Sequence, residues 1–558
     1  MTHWLVLPIV LPAMLAAFLI LAARFHLLIQ RVFSLAGTLV LFGLALGLFW
    51  QATDGTVSLY QLGNWAAPFG IVLVADRLST LMVLITCTLA PLVLLYAIGS
   101  GWDNRGRHFH PLFQFQLMGI LGAFLTGDAF NLFVFFEVLL IASYGLMIHA
   151  GGPRRLRAGT QYVLYNLMGS TLFLFALGTI YAETGTLNMA DLAVRVATLE
   201  AGDGAGIRVA AVLLLMVFAV KAAILPLHFW LPASYAEAPA PVAALFAIMT
   251  KVGAYCIIRF YTLIFPPELE ITKGLFDLWL MPAALLTIAL GMVGVLGAGR
   301  ADRMVAFSVI GSMGMLLAGV SVFTPAGISA ALYYAIHSTF ATAALFLLVD
   351  VITSRRSVAE VSFTDAPPMR GGAVVAGMFF LAAIAMTGLP PLSGFLGKLL
   401  ILDAARGTPL VWWVWATILG GSLIAMIGFS RAGSQIFWKA HQTFEVTDAE
   451  KDEAEKTEAE QGSTSAATSP LPMVAIGGLL GLLIALTAAA GPVTRYLEVT
   501  SDQLFNPKDY IAIVLTTPGK KIKSGDDGHG KGTEPEPRAA LAPEETGSDD
   551  PARFSLLC

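Results

Sequence analysis

Charged residues are scarce in this 558-residue sequence: they make up 13% of the chain, whereas 57% of its residues are hydrophobic. Soluble domains carry about 25% charged residues, so this composition excludes an ordinary soluble globular protein. The mean hydropathy is +0.76, and one membrane-spanning helix requires roughly 20 mainly apolar residues. We therefore predict an all-α polytopic membrane protein.

The sequence also lacks the motifs that hold cofactors and metals. Its three cysteines, Cys87, Cys256 and Cys558, are far apart and fit neither a disulfide framework nor a metal site. It has no phosphate-binding glycine loop, no His-Glu-x-x-His motif and no cysteine set for an iron–sulfur cluster. We expect no cofactor, no bound metal and no nucleic-acid partner.

Long apolar stretches, in contrast, follow one another along most of the chain. We count about fourteen of them as membrane spans. They cover residues 4–23, 32–51, 70–98, 112–127, 130–149, 162–182, 207–227, 239–264, 278–298, 304–323, 327–349, 372–402, 410–430 and 471–490.

Arginines in the short loops predict the orientation, because loops rich in Lys and Arg stay in the cytoplasm. They fall in alternate loops, at Arg24, Arg31, Arg105, Arg107, Arg154, Arg155, Arg157, Arg300, Arg303, Arg355, Arg356 and Arg370. With an even number of spans, both termini then face the outside. The loop 183–203 is acidic and falls on the outer side.

The predicted domains follow from the spans and from two polar segments that cannot bury enough apolar surface to fold alone. They are three N-terminal helices in 1–111, a first five-helix repeat in 112–264, a second in 265–438, an acidic cytoplasmic linker in 439–470, a last span with an amphipathic extension in 471–514, and a disordered polar tail in 515–558.

Two lysines, Lys221 and Lys251, lie inside predicted spans. A charged side chain at the bilayer centre costs about 2.5–3.5 kcal/mol on insertion scales, so such residues usually serve an ion or proton path. Pro226 should break the seventh span just after Lys221, because proline removes a backbone donor and clashes with the preceding turn. A broken helix beside a buried lysine is typical of transporter sites. For Lys251, an ammonium satisfied by a helix C-terminus or by water is the alternative.

The fifth span carries Glu137 among apolar neighbours. A buried carboxylate becomes neutral unless a cation stabilises it, so Glu137 predicts a partner such as Lys221. Lysine can lose its proton when desolvated, which arginine practically never does. The two residues therefore look like relay groups, although an ion pair that only locks two helices together would explain them too.

Two histidines extend the candidate relay. His337 lies in the eleventh span and is a relay candidate because an imidazole ordinarily titrates near neutral pH; the alternative is a hydrogen-bonded core residue. His228 follows Pro226 and is a possible point where protons enter, at the cytoplasmic mouth of the broken helix. Asp76 and Asp128, at the outer ends of their spans, are better explained as helix caps.

The twelfth span repeats the pattern of the seventh. Pro390 and Pro391 interrupt it, and Lys398 follows in an apolar context. Matching broken helices in two halves of a chain are expected from inverted repeats, and spans four to eight and nine to thirteen form the obvious pair.

Four stretches resemble a known family: GDAFNLFVFFE around Glu137, PLHFWLPASYAEAPAPVAALF after Lys221, TKVGAY at Lys251 and GLPPLSGFLGK at Lys398. They are similar to the antiporter-like subunits shared by respiratory complex I and the multisubunit Mrp cation/proton antiporters, and the resemblance covers roughly residues 70–430. A lysine in the twelfth span and the segment DQLFNPKDYIAIVL most resemble the D-subunit family of the Mrp (Pha) antiporters.

This resemblance implies fourteen helices with two inverted five-helix repeats, in which the seventh and twelfth are broken. It implies a Glu137–Lys221 pair continued by Lys251, His337 and Lys398 as a proton path. Many relatives carry a lysine a few residues after the histidine of the eleventh span. Here residues 338–342 are Ser, Thr, Phe, Ala and Thr, so this part of the path would depend on His337 and ordered water.

The function that we expect is a proton-translocating subunit of a Na⁺(K⁺)/H⁺ antiporter, driven by the proton-motive force. It would be a secondary transporter in a bacterial inner membrane and not an enzyme. Its partners would be subunits of the A, B, C, E, F and G types, protons, monovalent cations and lipid. The alternative is a pump subunit of complex I or of a membrane-bound hydrogenase, and a channel or scaffold would leave the buried titratable groups unexplained.

Overall fold

The computed structural model describes residues 3–199, 204–270, 272–356, 361–364, 369, 371–439 and 469–520. The predicted acidic linker and the predicted tail lie outside the described residues apart from their ends. The α-helices are α1 Leu7–Leu21, α2 Leu27–Ala52, α3 Arg77–Ser100, α4 Phe109–Leu125, α5 Ala129–Met147, α6 Pro153–Thr184, α7 Met189–Ala197, α8 Ala205–Lys221, α9 Trp230–Glu237, α10 Ala240–Leu263, α11 Met281–Gly297, α12 Ala301–Ser321, α13 Pro325–Arg355, α14 Gly372–Thr387, α15 Ser393–Ala404, α16 Val411–Gly433, α17 Leu471–Ala488, α18 Ala490–Phe505 and α19 Lys508–Thr516.

The predicted helical membrane fold is confirmed. Within the described residues, ten helices are long and apolar enough to cross a membrane, and α1, α4 and α14 are shorter apolar helices. Helices α10, α12 and α13 are buried along nearly their whole length and form the centre of the bundle. Apolar side chains of α1, α2 and α6, by contrast, are exposed on its outside. The exact number of fourteen spans and the inverted repeats remain predictions.

The third predicted span begins too early. Strand β1, Ser58–Gln61, pairs antiparallel with β2, Val72–Ala75, so the first residues of the predicted span form a hairpin. Helix α3 starts only at Arg77, because Asp76 caps it in a reciprocal pair of hydrogen bonds with Ser79. Asp128 caps α5 by accepting a hydrogen bond of 2.7 Å from the backbone N–H of Asn131, without the reciprocal bond. Both carboxylates are helix caps, as predicted.

The arginine-bearing loops gather at one end of the bundle. Arg155 donates to the Glu237 carbonyl at 2.8 Å, and Arg300 forms an ion pair with the Glu237 carboxylate at 3.1 Å. Together with Arg105 and Arg154 they line one cavity of about 410 Å³. We call this the arginine end. Which end faces the cytoplasm remains a prediction.

The opposite end is built from the hairpin and the last helices. Single backbone bridges join Leu73 to Thr126 and Trp65 to Lys520 there. The His3 ring packs on Tyr60 of β1 with centroids 5.9 Å apart. The first and last described residues therefore lie beside the same hairpin.

The seventh and twelfth predicted spans are both broken at their prolines, as predicted. Helix α8 ends at Lys221 and α9 starts at Trp230, with Pro226 between them, whereas α14 ends at Thr387 and α15 starts at Ser393. A helix end leaves carbonyl groups without backbone partners. Trp230 donates to the Val220 carbonyl at 3.0 Å, so a side chain beyond the first break satisfies one of them.

Candidate functional site: a row of buried titratable side chains

All six predicted site residues are described, and they lie on different elements of the bundle. These are Glu137 on α5, Lys221 at the end of α8, His228 in the break after α8, Lys251 on α10, His337 on α13 and Lys398 on α15. Five of them are buried, and Glu137 is half-buried.

Lys221 directs its ammonium to a residue that the sequence did not single out. Its Nζ donates to Oδ1 of Asn166 on α6 at 3.1 Å and lies 5.7 Å from the ring centroid of Phe136. Glu137 attracts this ammonium electrostatically, but its Oε1 is buried and has no hydrogen-bond partner among the described residues. The predicted pair is therefore electrostatic, and Asn166 makes the direct contact.

Small residues allow these helices to approach closely. A Cβ at Gly169, one turn after Asn166, would lie 3.8 Å from Nζ of Lys221, so the lysine lies across the surface of α6. A Cβ at Gly253 on α10 would lie 2.8 Å from the Ala222 amide nitrogen, which is tighter than side chains tolerate. This close approach places α10, and Lys251 on it, against the end of α8.

Lys251 has no hydrogen-bond partner for its Nζ among the described residues, although it is only 1% exposed. It lines a cavity of about 10 Å³ together with Tyr255. Within the described residues, no helix C-terminus accepts a hydrogen bond from this ammonium.

His337 lies between two lysines. Its Nδ1 is 2.9 Å from the hydroxyl of Ser393, the first residue of α15, and its Nε2 has no partner among the described residues. Both Lys251 and Lys398 act on it electrostatically. A Cβ at Gly394 would lie 2.9 Å from Nε2 of the ring. The histidine is thus a buried, hydrogen-bonded residue, and its place in a relay remains a prediction.

Lys398 is fully hydrogen-bonded at the second break. It donates to the Thr387 carbonyl at 2.6 Å, to the Met386 carbonyl at 3.4 Å and to the Ser422 hydroxyl on α16 at 2.9 Å. A cation at a helix C-terminus is favoured by the helix dipole. Lys398 therefore caps α14 across the break, which the sequence did not predict.

His228 stands apart from the row. It is 4% exposed, packs on Phe229 with ring centroids 4.4 Å apart, and has no partner for Nδ1 among the described residues. No described hydrogen bond joins it to another candidate residue. Its predicted position at the helix break is correct, and its role remains a prediction.

Comparison with known proteins places this arrangement in a family. A family model described as "NADH:quinone oxidoreductase/Mrp antiporter, TM" matches residues 126–425. The D subunit of a probable K(+)/H(+) antiporter from Rhizobium meliloti (strain 1021) is 39% identical in an alignment of 549 positions that covers 92% of this chain and 98% of that protein. The chain belongs to the NADH:quinone oxidoreductase/Mrp antiporter family.

Two further relatives support this membership in the antiporter family. The D subunit of the Na(+)/H(+) antiporter from Bacillus subtilis (strain 168) is 38% identical over 522 residues, covering 92% of this chain and 100% of that protein. A chain in the structure of the Mrp complex from Dietzia sp. DQ12-45-1b has a TM-score of 0.79 and 26% identity, covering 92% of this chain and 100% of that one. The matched family region contains all six candidate residues.

Proposed function

We propose that this chain is the proton-translocating subunit of a multisubunit cation/proton antiporter and exchanges protons against Na⁺ or K⁺. One observation carries the proposal. Side chains that can bind or release a proton occur on five helices inside the bundle, and Glu137, Lys251 and His337 each have a buried polar atom without a partner among the described residues. A packed core normally satisfies such atoms, so their number supports a hydrated proton path.

The relay works by coupling of neighbouring charges. Protonation of one group disfavours a positive charge on the next. The same holds for a carboxylate, because its protonation removes the negative charge that favours the neighbouring cation. Glu137 acts on Lys221 in the first half, and Lys251 and Lys398 both act on His337 in the second. A proton that arrives in either half can therefore displace one from its neighbour, and we propose that the halves meet where α10 packs against the end of α8.

The partners are proposed from the relatives, which are named as D subunits of antiporters. This chain would assemble with subunits of the A, B, C, E, F and G types in a bacterial inner membrane, with both termini outside. The cation would move elsewhere in the complex, because the described candidate residues carry amine, imidazole and amide groups around a single carboxylate.

A redox-driven pump subunit is the second candidate, since the family description also names NADH:quinone oxidoreductase. The energy source separates the two candidates. The complex purified with its co-assembling subunits and placed in liposomes should take up or release protons when only a Na⁺ or K⁺ gradient is applied. Proton movement that requires NADH, a quinone or another electron donor would reject the antiporter and favour the pump.

A further inference from the structure

The cavity at the arginine end has a wall with an unusual number of guanidinium groups. Its volume is about 410 Å³, and Arg105, Arg154, Arg155 and Arg300 all line it. A water molecule takes up about 30 Å³ in the liquid, so this cavity is far larger than one water. The contacts of the four arginines show how much of their charge is already used by the protein itself.

Three carboxylates also line this cavity, and each already has partners. Glu237 forms an ion pair with Arg300 at 3.1 Å, and Asp302 accepts from the same arginine at 3.1 Å. Asp350 accepts hydrogen bonds of 2.7 and 2.8 Å from a tyrosine hydroxyl and a tryptophan indole. The wall therefore carries four guanidinium groups against three carboxylates, and two of those carboxylates share one arginine.

Arg105 and Arg154 form no ion pair with any described residue, and both are exposed. The Arg105 guanidinium lies over the ring of Trp102, 3.9 Å from its centroid, and acts on Asp350 only electrostatically. An arginine that stacks on an aromatic ring keeps its planar set of N–H donors available for another partner. Trp102 thus holds Arg105 at the cavity without using its hydrogen bonds.

Arg154 lies where its own helix does not favour a cation. It is in the first turn of α6, which begins at Pro153, contains no acidic residue in that turn and has no side-chain cap. The helix dipole places positive partial charge at this end, so it favours an anion there and disfavours a cation. The neighbouring Arg155 is compensated, because it donates to the Glu237 carbonyl at 2.8 Å and to two further carbonyls. Arg154 has no such contacts among the described residues.

We propose that this cavity binds a phosphate group between Arg105 and Arg154. The planar donors of arginine match phosphate oxygens in pairs, and the negative charge offsets both guanidinium groups and the start of α6. A free phosphate and the headgroup of an anionic phospholipid present the same oxygens, and basic pockets between membrane helices bind such headgroups. The bound phosphate joins the loop between α3 and α4 to the start of α6. This site goes beyond the proposed function and does not depend on it.

The test uses the complete complex purified in detergent. The temperature at which it dissociates or aggregates is measured with increasing potassium phosphate, against potassium chloride of the same ionic strength. A second series adds phosphatidylglycerol to the micelles, against phosphatidylcholine. A ligand that binds only the folded protein raises this temperature. Stabilisation by inorganic phosphate supports a free phosphate as the ligand, whereas stabilisation by phosphatidylglycerol alone supports a lipid headgroup.

The double variant Arg105→Gln/Arg154→Gln assigns the effect to this cavity. Hydrogen bonds to charged groups are worth enough that we expect the half-maximal ligand concentration to rise at least about tenfold. Arg24→Gln is the matched control, because Arg24 is an exposed arginine that does not line the cavity. It should respond to the ligand like the wild type. If the double variant does not assemble, Arg154→Gln alone decides by the same criterion.

Three results would overturn the proposal. The first is a wild-type complex that neither ligand stabilises more than its own control does. The second is a double variant that responds at the same ligand concentration as the wild type. The third is an equal loss of response in Arg24→Gln, because the effect would then come from the total positive charge and not from this cavity.

Discussion

The ammonium of Lys221 donates a hydrogen bond of 3.1 Å to the side-chain oxygen of Asn166, while Glu137 attracts it without bonding to it. A direct buried ion pair would hold the lysine in its charged form. A neutral amide satisfies the ammonium and stabilises its charge less than a carboxylate in the same place would, because the amide carries no opposite charge. The arrangement therefore leaves Lys221 able to release its proton.

This relationship predicts that Asn166→Asp impairs transport. The new carboxylate would contact Lys221 directly and favour its charged form. We expect proton flux to fall at least about tenfold, which corresponds to about 1.4 kcal/mol in the barrier, while the complex still assembles. Flux is measured with a pH-sensitive dye in everted membrane vesicles.

Gln161→Glu is the matched control for this prediction. It makes the same amide-to-acid change on α6, at a residue whose side chain lies near the Phe229 carbonyl and away from Lys221. Equal transport by the two variants would contradict a special role of the Asn166–Lys221 contact.

Lys251 and Lys398 are predicted to differ in their effect on stability. Lys398→Met removes three hydrogen bonds and leaves the Thr387 carbonyl unpaired, which costs about 1–3 kcal/mol for a buried group. Lys251→Met removes an ammonium to which no described residue forms a hydrogen bond. This substitution should therefore leave the stability of the protein unchanged or raise it. Both variants should lose transport. The temperature at which the purified complex dissociates or aggregates should fall for Lys398→Met only. An equal fall for both variants would contradict the predicted difference between the two lysines.

The helix breaks and the buried lysines were accessible to sequence analysis. Pro226 and the pair Pro390–Pro391 cannot continue a helix, and the structure breaks α8 and α14 at these places. Proline marks such places in one sequence, although it does not break every helix, since Pro91 lies inside the continuous α3.

The partners of the lysines were not accessible in the same way. Asn166 lies 55 residues before Lys221, and Ser422 lies 24 residues after Lys398. Their contacts depend on how α6 and α16 pack in three dimensions. Asn166 was visible as a polar residue within a predicted span, but nothing local to it identifies Lys221 as its partner. The hairpin before α3 was missed because Val72–Ala75 is as apolar as the helix that follows it.

The Asp103 carboxylate predicts a pH dependence of stability. It lies between α3 and α4, and burial by itself would raise its pKa. Hydrogen bonds from His110 at 3.2 Å and from Arg31 at 2.6 Å outweigh burial and hold the pKa of Asp103 below its ordinary value. A carboxyl group with a lowered pKa stabilises the folded state above its unfolded pKa of about 3.9 and loses this contribution as the pH falls through its folded pKa.

Asp103→Asn should therefore flatten the acid side of the stability profile. Below about pH 4 the wild-type complex should lose thermal stability more steeply than this variant does. Asp403→Asn, which changes an exposed carboxylate paired with Arg406, is the control and should follow the wild type. If the thermal stability of Asp103→Asn fell with pH as steeply as that of the wild type, the Arg31–Asp103–His110 contacts would not be the source of this pH dependence.

The most direct test of the central claim, that the relay begins at Glu137 and Lys221, is the cation-dependent proton flux of Glu137→Gln in the assembled complex. The substitution keeps the shape of the side chain and removes its charge. Glu183→Gln, an exposed acid on α6, is measured beside it. We predict that Glu137→Gln assembles in normal amounts and gives proton flux at background level, while Glu183→Gln transports normally. Flux close to wild type from Glu137→Gln would contradict the proposed relay.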